Sequence, residues 1–310
     1  VDDFLRESFK AKKYDKLKSE FKKYIEGYDA ADPAKASIIA IREEMKAEDE
    51  VQYRPKTGYM PLIDYLQESC IKNGGVIKIA EPVFKISAGN TVEIITNLKK
   101  YTASKLIVAV PVAVLQCSTK QKSFIELPLF LENYIKAARN IGNGSVIKFL
   151  LEFDKAFWLE KDFLTKREIA APSYIFGDTI IPTWWTQFPS RMPLLTGWVG
   201  GPVANKIKNY SDKKFKQLLL ESLSSIFSIP PEEIAKRLKK YKIMNWIKEP
   251  YILGAYSYST LQTKKAKEIM RQPHNKTFYF AGEYLAENTS STVEAALESG
   301  TNVANHILEL

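Results

Sequence analysis

Cysteine is nearly absent from this sequence. The two cysteines, Cys70 and Cys117, lie in different segments and without CxxC spacing. This pattern argues against a disulfide scaffold and against a cysteine-ligated zinc site, so we assign no metal ligands. It favours a reducing compartment, and we expect a cytoplasmic protein.

Long apolar runs are also missing. The longest, such as residues 106–115, stop well short of the roughly 20 residues that cross a bilayer. The first residues lack the basic start, apolar stretch and small-residue cleavage site of a secretory signal. We expect no membrane span. With 45% apolar residues among 310, the chain can still bury a sizeable core, in one large domain or two ordinary ones.

No segment concentrates the positive charge, although the formal net charge is +9. The lysines are spread through helical stretches such as residues 10–23 and 236–242, which is typical of solvated helix faces. No basic segment carries interleaved aromatic residues or a zinc-finger pattern. We therefore predict that the chain binds no nucleic acid.

The glycine turn GxGxxG, which holds a pyrophosphate at a helix N-terminus in dinucleotide-binding folds, does not occur. Gly142-Asn-Gly144 lies in mid-chain and continues Ser-Val-Ile, and Gly200-Gly201 is followed by proline. Neither pair completes the motif. The sequence thus lacks the usual means of binding a dinucleotide.

Helical and strand patterns alternate, which predicts an α/β (mixed α+β) fold. Residues 1 to about 55 are helical in spacing, a further helix ends near Gly74-Gly75, and a hairpin turns at Gly89-Asn90. Short β-rich runs precede and follow that turn, at residues 76–79, 83–87, 91–96 and 105–110. The last run is apolar on both faces, as in a central strand covered on both sides. Later strands are predicted at residues 146–153, 173–176, 183–188 and 194–199, and a long amphipathic helix at residues 212–227.

Two segments carry features that plain packing does not require. Lys148 interrupts the apolar strand 146–153, which is costly unless its ammonium reaches solvent or has a purpose. Residues 278–283, FYFAGE, give a strand, a glycine turn and an acid, and a helix follows that Ser290, Ser291 and Thr292 can cap. The start of that helix favours negative charge. A buried terminal helix on a sheet is the alternative interpretation.

This C-terminal block is similar to the signature of the flavin-containing amine oxidase family, which includes monoamine and polyamine oxidases and lysine-specific histone demethylases. Nearly the whole chain matches: residues 24–33 resemble a substrate-domain helix pair, residues 57–62 a family helix start, and residues 106–115 a family strand and loop. The resemblance implies a two-domain fold with discontinuous domains. Residues 1–55 and 117–244 would form the substrate-binding domain, and residues 56–116 and 245–310 an incomplete FAD-binding domain.

The resemblance implies three residues at the reacting centre. Lys148 matches the family lysine that holds a water near flavin N5. Tyr256 aligns with one wall of the aromatic amine cage. Thr292 takes the place of the other wall, where monoamine oxidases have a tyrosine, so only half of the cage is present. We predict that these three side chains converge on one cavity.

The implied cofactor is FAD, and its contacts are spread over several segments. Ala255 stands where monoamine oxidases have the cysteine linked to flavin, so the FAD is expected to be non-covalent. Glu283, which follows Gly282, matches a carboxylate at the ribityl chain. The remaining matches are Val83 at adenine, Trp246 and Tyr251 packed on the flavin, and the Val293 amide at O2.

The implied reaction is hydride transfer from the α-carbon of a small-molecule amine to the flavin, followed by reoxidation by O2. By resemblance the chain begins inside the substrate domain, about one Rossmann unit late. An incomplete sequence, a split enzyme whose second chain carries GxGxxG, and a flavin-free remnant with a binding or regulatory role all fit. A different FAD oxidoreductase, of the carotenoid desaturase or protoporphyrinogen oxidase type, predicts the strand lysine less well.

Overall fold

A computed structural model describes residues 1–47, 55–89, 91–119, 121–167, 171–286 and 291–309. Helices and strands alternate along these ranges. The helices are α1 (Asp2–Ser8), α2 (Asp15–Tyr28), α3 (Ile38–Ala47), α4 (Met60–Lys72), α5 (Val112–Leu115), α6 (Glu132–Ala138), α7 (Lys161–Arg167), α8 (Gly201–Ile207), α9 (Asp212–Phe227), α10 (Pro231–Arg237), α11 (Thr263–Arg271) and α12 (Val293–Leu308). The strands are β1 (Val83–Ala88), β2 (Val92–Thr96), β3 (Lys100–Ala103), β4 (Leu106–Val108), β5 (Gly142–Asn143), β6 (Val146–Phe153), β7 (Tyr174–Phe176), β8 (Thr183–Trp185), β9 (Leu194–Gly200), β10 (Leu238–Asn245), β11 (Ser257–Tyr258) and β12 (Phe278–Phe280).

The largest sheet has the order β10-β6-β9-β8-β7 and is antiparallel throughout. The interior strand β6, second in that order, buries alternate residues completely, namely Ile147, Phe149 and Leu151. Because side chains alternate between the faces of a strand, these residues share one face and Lys148 lies on the other. The buried face packs against α9, whose Phe215, Leu218, Leu219 and Leu223 recur at helical spacing.

A second core surrounds the two-stranded parallel sheet of β4 and β12. Phe278 and Phe280 of β12 pack with residues of β1 and β2, in the meander β1-β2-β3, and with residues of α5, α6 and α11. Two smaller strands, β5 and β11, pair with each other through Asn143 with Ser257 and Gly142 with Tyr258. This short pairing ties the middle of the chain to its last third.

Most predicted elements are confirmed. The N-terminal helices, the helix ending at Lys72, the strand β6 and the helix α9 occur where their patterns predict them. The hairpin of β1 and β2 is also confirmed, although Asn90 at its tip lies outside the described residues. The predicted α/β (mixed α+β) fold class is therefore confirmed.

Two strand predictions are wrong. Residues 76–79 form no strand, and Ile79 is 87% exposed, because this β-rich run has no neighbouring strand among the described residues. Of the run 105–110, only β4 forms a strand. Among the described residues β4 pairs with β12 alone, so it is not a central strand. Consequently Ile107 is 41% exposed although its sequence suits a covered strand.

Neither cysteine takes part in a disulfide, and Cys117 is buried while Cys70 is exposed. Among the described residues, no helix has the length and apolar character needed to cross a bilayer.

The C-terminal end of α2 lies directly against the last residue of β9. A Cβ added to Gly200 would overlap the carbonyl oxygen of Glu26 and approach Cα of Ala30 to 3.2 Å. The contact continues into the neighbouring loop, because the amide of Ser145 donates to Ala30 O at 3.1 Å. Glycine at position 200 therefore allows α2 to lie on the face of the sheet that carries Lys148.

We predict that Gly200→Ala lowers the free energy of unfolding by about 1–3 kcal/mol, the usual cost of overpacking. Gly300, in α12 with open space around its Cα, is the matched control. Gly300→Ala should instead stabilise by roughly 0.5–1 kcal/mol, because alanine has less freedom to lose in a helix. Urea unfolding followed by circular dichroism measures both, and equal effects would contradict the close packing of α2 on β9.

Candidate active site

A cavity of about 1070 Å³ lies between α2, α3 and the strands β8 and β9, with β11 and the start of α12 at one end. Its walls are mainly aromatic. The aromatic residues that line it are Tyr24, Tyr28, Tyr174, Phe176, Trp185, Trp198, Tyr256 and Tyr258. The cavity is large enough for a small organic ligand together with part of a larger one.

The sheet supplies one wall because of its register. Lys148 of β6 lies opposite Trp198 of β9, and Trp198 lies opposite Thr183 of β8. Residues directly opposite in a sheet share a face, and Trp185, two residues beyond Thr183, shares it as well. The indole of Trp198 donates to the backbone oxygen of Gly27 at 2.8 Å, which fixes this wall to α2.

Lys148 is half-buried beside this aromatic wall. Its Nζ lies 5.6 Å from the centroid of the Trp185 ring, within the range of a cation–π contact. Desolvation lowers the pKa of Lys148, so it loses its proton at a lower pH than a free lysine does. Lys148 does not itself line the cavity, and its ammonium adjoins it through Trp185 and Trp198. Of the three residues predicted to converge, Tyr256 and Thr292 do line it.

Tyr256 connects the loop before β11 to the end of α2. Its hydroxyl donates to the backbone oxygen of Tyr28. Burial, and then the negative charge of Asp29, raises the pKa of Tyr256, so the phenol stays protonated and acts as a donor. Backbone hydrogen bonds to Gly144 hold this loop. The Gly144 amide donates to Tyr256 O at 2.9 Å, and the Ala255 amide donates to Gly144 O at 2.8 Å.

The Glu283 carboxylate joins three separate segments at the end of the cavity. Its Oε1 accepts from the amide of Ser257 at 3.1 Å, and its Oε2 accepts from the hydroxyl of Ser257 at 2.7 Å. The same Oε2 accepts from the amide of Ser291 at 2.9 Å. The hydroxyl of Ser291 in turn donates to Ser257 O. One charged group thus holds β12, β11 and the approach to α12 together.

Thr292 is the N-cap of α12. Its Oγ1 accepts from the amide of Ala295 at 3.0 Å, as predicted for a capping residue. Ser291 bonds to Glu283 and β11, and Ser290 lies outside the described residues. The first amides of the helix, at Val293 and Glu294, precede any i−4 carbonyl within the helix and therefore point outward as donors.

The other predicted cofactor residues lie in different surroundings. Gly282 has a φ of +156°, and its amide donates to Ser299 Oγ at 3.0 Å. Tyr251 has a φ of +69°, and its amide donates to Ser123 Oγ at 2.9 Å. Trp246 follows β10 and is half-buried, and Val83 begins β1 opposite Thr96. Their contacts with FAD remain predictions.

The cavity carries negative charge within a positive chain. Among its described lining residues, Glu20, Asp29, Glu44 and Asp178 supply four carboxylates, and Lys23 supplies the one ammonium. Lys23 Nζ lies 2.9 Å from Asp178 Oδ1 and 3.3 Å from Glu20 Oε1. These hydrogen bonds raise the pKa of Lys23 and leave the net charge of the walls negative. The arrangement favours a cationic ligand.

Sequence reasoning did not identify the tryptophans of this site. Trp184 is completely buried in the core, whereas its neighbour Trp185 lines the cavity. The period of two within strand 183–188 indicated that adjacent tryptophans face opposite sides, but not which side faces a cavity. Trp198 could be recognised only after its register with Lys148 was known.

The chain is similar to several known proteins. The family model of flavin containing amine oxidoreductases matches residues 1–308. Lysine-specific histone demethylase 1B of Mus musculus is 27% identical over 264 residues, which are 81% of this chain and 29% of that protein. A flavin-containing amine oxidase of Oncorhynchus mykiss is 26% identical over 240 residues, covering 76% and 43% of the two chains. Polyamine oxidase 2 of Arabidopsis thaliana is 27% identical over 252 residues, covering 80% and 47%.

The fold is similar to that of putrescine oxidase. A double mutant of that enzyme matches with a TM-score of 0.62 and 18% identity, over 81% of this chain and 53% of the enzyme. The wild type bound to putrescine matches with a TM-score of 0.57 and 19% identity, over 74% and 49%. The chain spans less than half the length of the three curated relatives above, from 29% to 47%.

We predict that Glu283→Gln lowers the free energy of unfolding by about 1–3 kcal/mol, because the amide nitrogen of glutamine meets hydrogen-bond donors where a carboxylate oxygen accepted from them. Amides at the start of α12 should also exchange with solvent faster. Glu268→Gln on the exposed side of α11 is the control. Urea unfolding and hydrogen exchange measure the two effects, and equal behaviour of the two variants would show that Glu283 does not hold these segments.

Proposed function

Since the chain belongs to the family of flavin-containing amine oxidoreductases, we propose that it supplies the amine-binding half of an FAD-dependent amine oxidoreductase. The observation that carries this proposal is the aromatic, acidic cavity that ends at the start of α12 and adjoins Lys148. FAD, when bound, supplies the acceptor for the hydride of the amine. The residues of this chain bind and orient the amine.

The residues at the inner end of the cavity fit the ring side of a flavin. The outward amides of Val293 and Glu294 begin a sixteen-residue helix, where donors and the helix dipole favour an electron-rich carbonyl oxygen. Ala255 is small, and it offers no thiol for a covalent link. Glu283 already accepts three hydrogen bonds, so we propose that it acts on the cofactor chiefly by holding Ser257 and Ser291 in place.

The cavity walls select a cationic amine. The four carboxylates attract an ammonium, and the faces of Trp185, Trp198 and Tyr256 can hold it by cation–π contact. Lys148, with its lowered pKa, holds a water at the edge of this wall and exchanges a proton with it. Thr292 replaces an aromatic wall with a short side chain, which leaves the end of the cavity wider.

A further polypeptide segment completes the cofactor domain in this proposal. No residue of α4 is buried, and Tyr65 on that helix is 67% exposed. Val76, Ile77 and Ile79, which follow α4 in sequence, and Ile107 of β4 add exposed apolar surface. Parallel sheets normally have both faces covered and more than two strands. We propose that a strand carrying GxGxxG pairs with the open edge of β4, whether it comes from the same polypeptide or from a second chain.

We propose the domain division that the sequence predicts, and two features of the sheets support it. The five-stranded sheet lies within residues 146–245, close to the proposed substrate domain of residues 1–55 and 117–244. The parallel pair of β4 and β12 joins the two stretches 56–116 and 245–310 of the proposed cofactor domain. In this proposal the additional segment belongs to the cofactor domain.

We predict that this chain alone binds FAD weakly, because its sequence lacks the GxGxxG turn that holds the FAD pyrophosphate at a helix N-terminus. Two lost charge-assisted hydrogen bonds of about 1.5–3 kcal/mol each weaken affinity by roughly two to four powers of ten. The chain should show no flavin absorbance after incubation with excess FAD and desalting. Addition of a GxGxxG segment, in cis or as a second chain, should restore it. A stoichiometric yellow protein without that segment contradicts the proposal, and a completed protein without flavin favours the binding or regulatory role.

In the completed protein, Lys148→Met should slow flavin reduction by an amine about a hundredfold, as expected for the loss of a positioned proton-handling group. Lys242→Met is the matched control, since Lys242 is an exposed lysine on the adjacent strand β10. Anaerobic stopped-flow absorbance gives the rate constants. An unchanged rate for Lys148→Met would show that Lys148 takes no part in flavin reduction. It would not contradict the proposed binding of FAD.

A diamine should bind the cavity more tightly than a monoamine of equal length. We predict that Glu44→Gln weakens binding of putrescine about two- to fivefold, the effect of one exposed charge pair, and leaves butylamine unchanged. Glu43→Gln is the control, because Glu43 pairs with Arg42 at 2.8 Å and does not line the cavity. Isothermal titration of the unmodified chain and of each variant, with putrescine and with butylamine, measures the affinities. Equal losses for both amines would exclude Glu44 from contact with a second ammonium.

A further inference from the structure

A second cavity of about 400 Å³ adjoins the first and has the opposite charge. Lys35, Arg139 and Lys208 line it, from three separate segments of the chain. None of its described lining residues is an aspartate or a glutamate. Three cations therefore surround one concave space, whereas carboxylates predominate in the neighbouring cavity.

The positive charge of this second cavity is poorly compensated. Among the described residues, the Arg139 guanidinium forms no ion pair. Lys208 Nζ lies 3.4 Å from the neutral Asn205 Oδ1, and Lys35 Nζ is 3.7 Å from Asp32 Oδ2. Three like charges in one cavity repel one another, and a bound anion would remove that repulsion.

The neutral walls of this cavity are held by hydrogen bonds, so its shape exists without a ligand. Asn205 Nδ2 donates to Ser145 Oγ at 2.6 Å, and Asn143 Nδ2 donates to Leu253 O at 3.1 Å. Gln116 Nε2 donates to the backbone oxygens of Ala138 and Ile141, at 2.9 and 2.8 Å. A preformed site loses little conformational entropy when it binds a ligand.

We propose that this cavity is a binding site for a multivalent phosphate oxyanion. The planar fork of Arg139 suits two oxygens of one phosphate, and Lys35 and Lys208 supply point charges to the others. The volume lies within the range of about 300–1,000 Å³ typical of small-molecule sites and exceeds the needs of a single phosphate. The ligand class is therefore a polyphosphate, either free or carried by a nucleotide.

The position of the cavity couples its ligand to the proposed amine site. Tyr258 lines both cavities. Its ring packs on Gly142, where an added Cβ would overlap the ring, and β5 pairs with β11 at the same point. An anion that holds Asn143 and Arg139 therefore acts on the strand that carries Tyr258 and, one residue before it, the Glu283-bound Ser257.

Calorimetric titration of the purified chain with sodium pyrophosphate, at constant ionic strength set by chloride, tests the proposal. We expect saturable binding of one pyrophosphate. Arg139→Gln and Lys208→Gln should each weaken it at least about tenfold, the factor that corresponds to about 1.4 kcal/mol for one charge-assisted contact. Arg191→Gln and Lys213→Gln, at exposed positions outside the cavity, should leave the affinity within about twofold.

Absence of saturable heat, or equal loss of affinity in the cavity variants and the control variants, overturns the proposal. Arg139 is exposed, so its replacement leaves the core intact, and circular dichroism checks this. A parallel titration with ADP identifies the source: tighter binding than pyrophosphate assigns a nucleotide, and equal binding assigns free polyphosphate, both consistent with the site. Because neither flavin nor amine enters the titration, its failure leaves the proposed amine oxidation untouched.

Discussion

The arrangement of the candidate site depends on the charge of one carboxylate. Glu283 follows a glycine turn at the end of β12, and its two oxygens bind donors from Ser257 and Ser291. Tyr256 and Tyr258 flank the first of these serines, and Thr292 follows the second. Three cavity-lining residues are thus positioned by a group that does not line the cavity itself. Such charge-assisted hydrogen bonds are the strong ones in proteins, which suits a contact that joins distant segments.

The two faces of the five-stranded sheet bury different kinds of side chain. One face of β6 contributes Ile147, Phe149 and Leu151 to the main core, and the hydrophobic effect there stabilises the fold. The opposite face presents Lys148 beside Trp185 and Trp198. Burying an ammonium opposes folding, as the lowered pKa of Lys148 indicates. The hydrophobic burial on the other face of the sheet offsets this free-energy cost, so the residues around Lys148 need not compensate for it.

Local sequence patterns predicted the helices and strands, but they did not predict the contacts between these elements. The helix α9 and the strand β6 follow from periodicity, because the spacing of apolar residues encodes one buried face. Residues 76–79 and the run 105–110 have the composition of covered strands, but composition does not supply the covering partner. The role of Glu283 could not be read from the sequence either, since its partners are 26 and 8 residues away. Resemblance identified the residue, and only the structure shows what it binds.

The open edge of β4 also bears on how this protein is handled by a cell. An uncovered strand edge accepts any extended chain, so two copies of this protein, or an unfolded neighbour, compete for the same backbone groups. The order of events during synthesis then matters, because the edge stays available for self-association until another strand pairs with it. The extent of self-association should therefore depend on protein concentration.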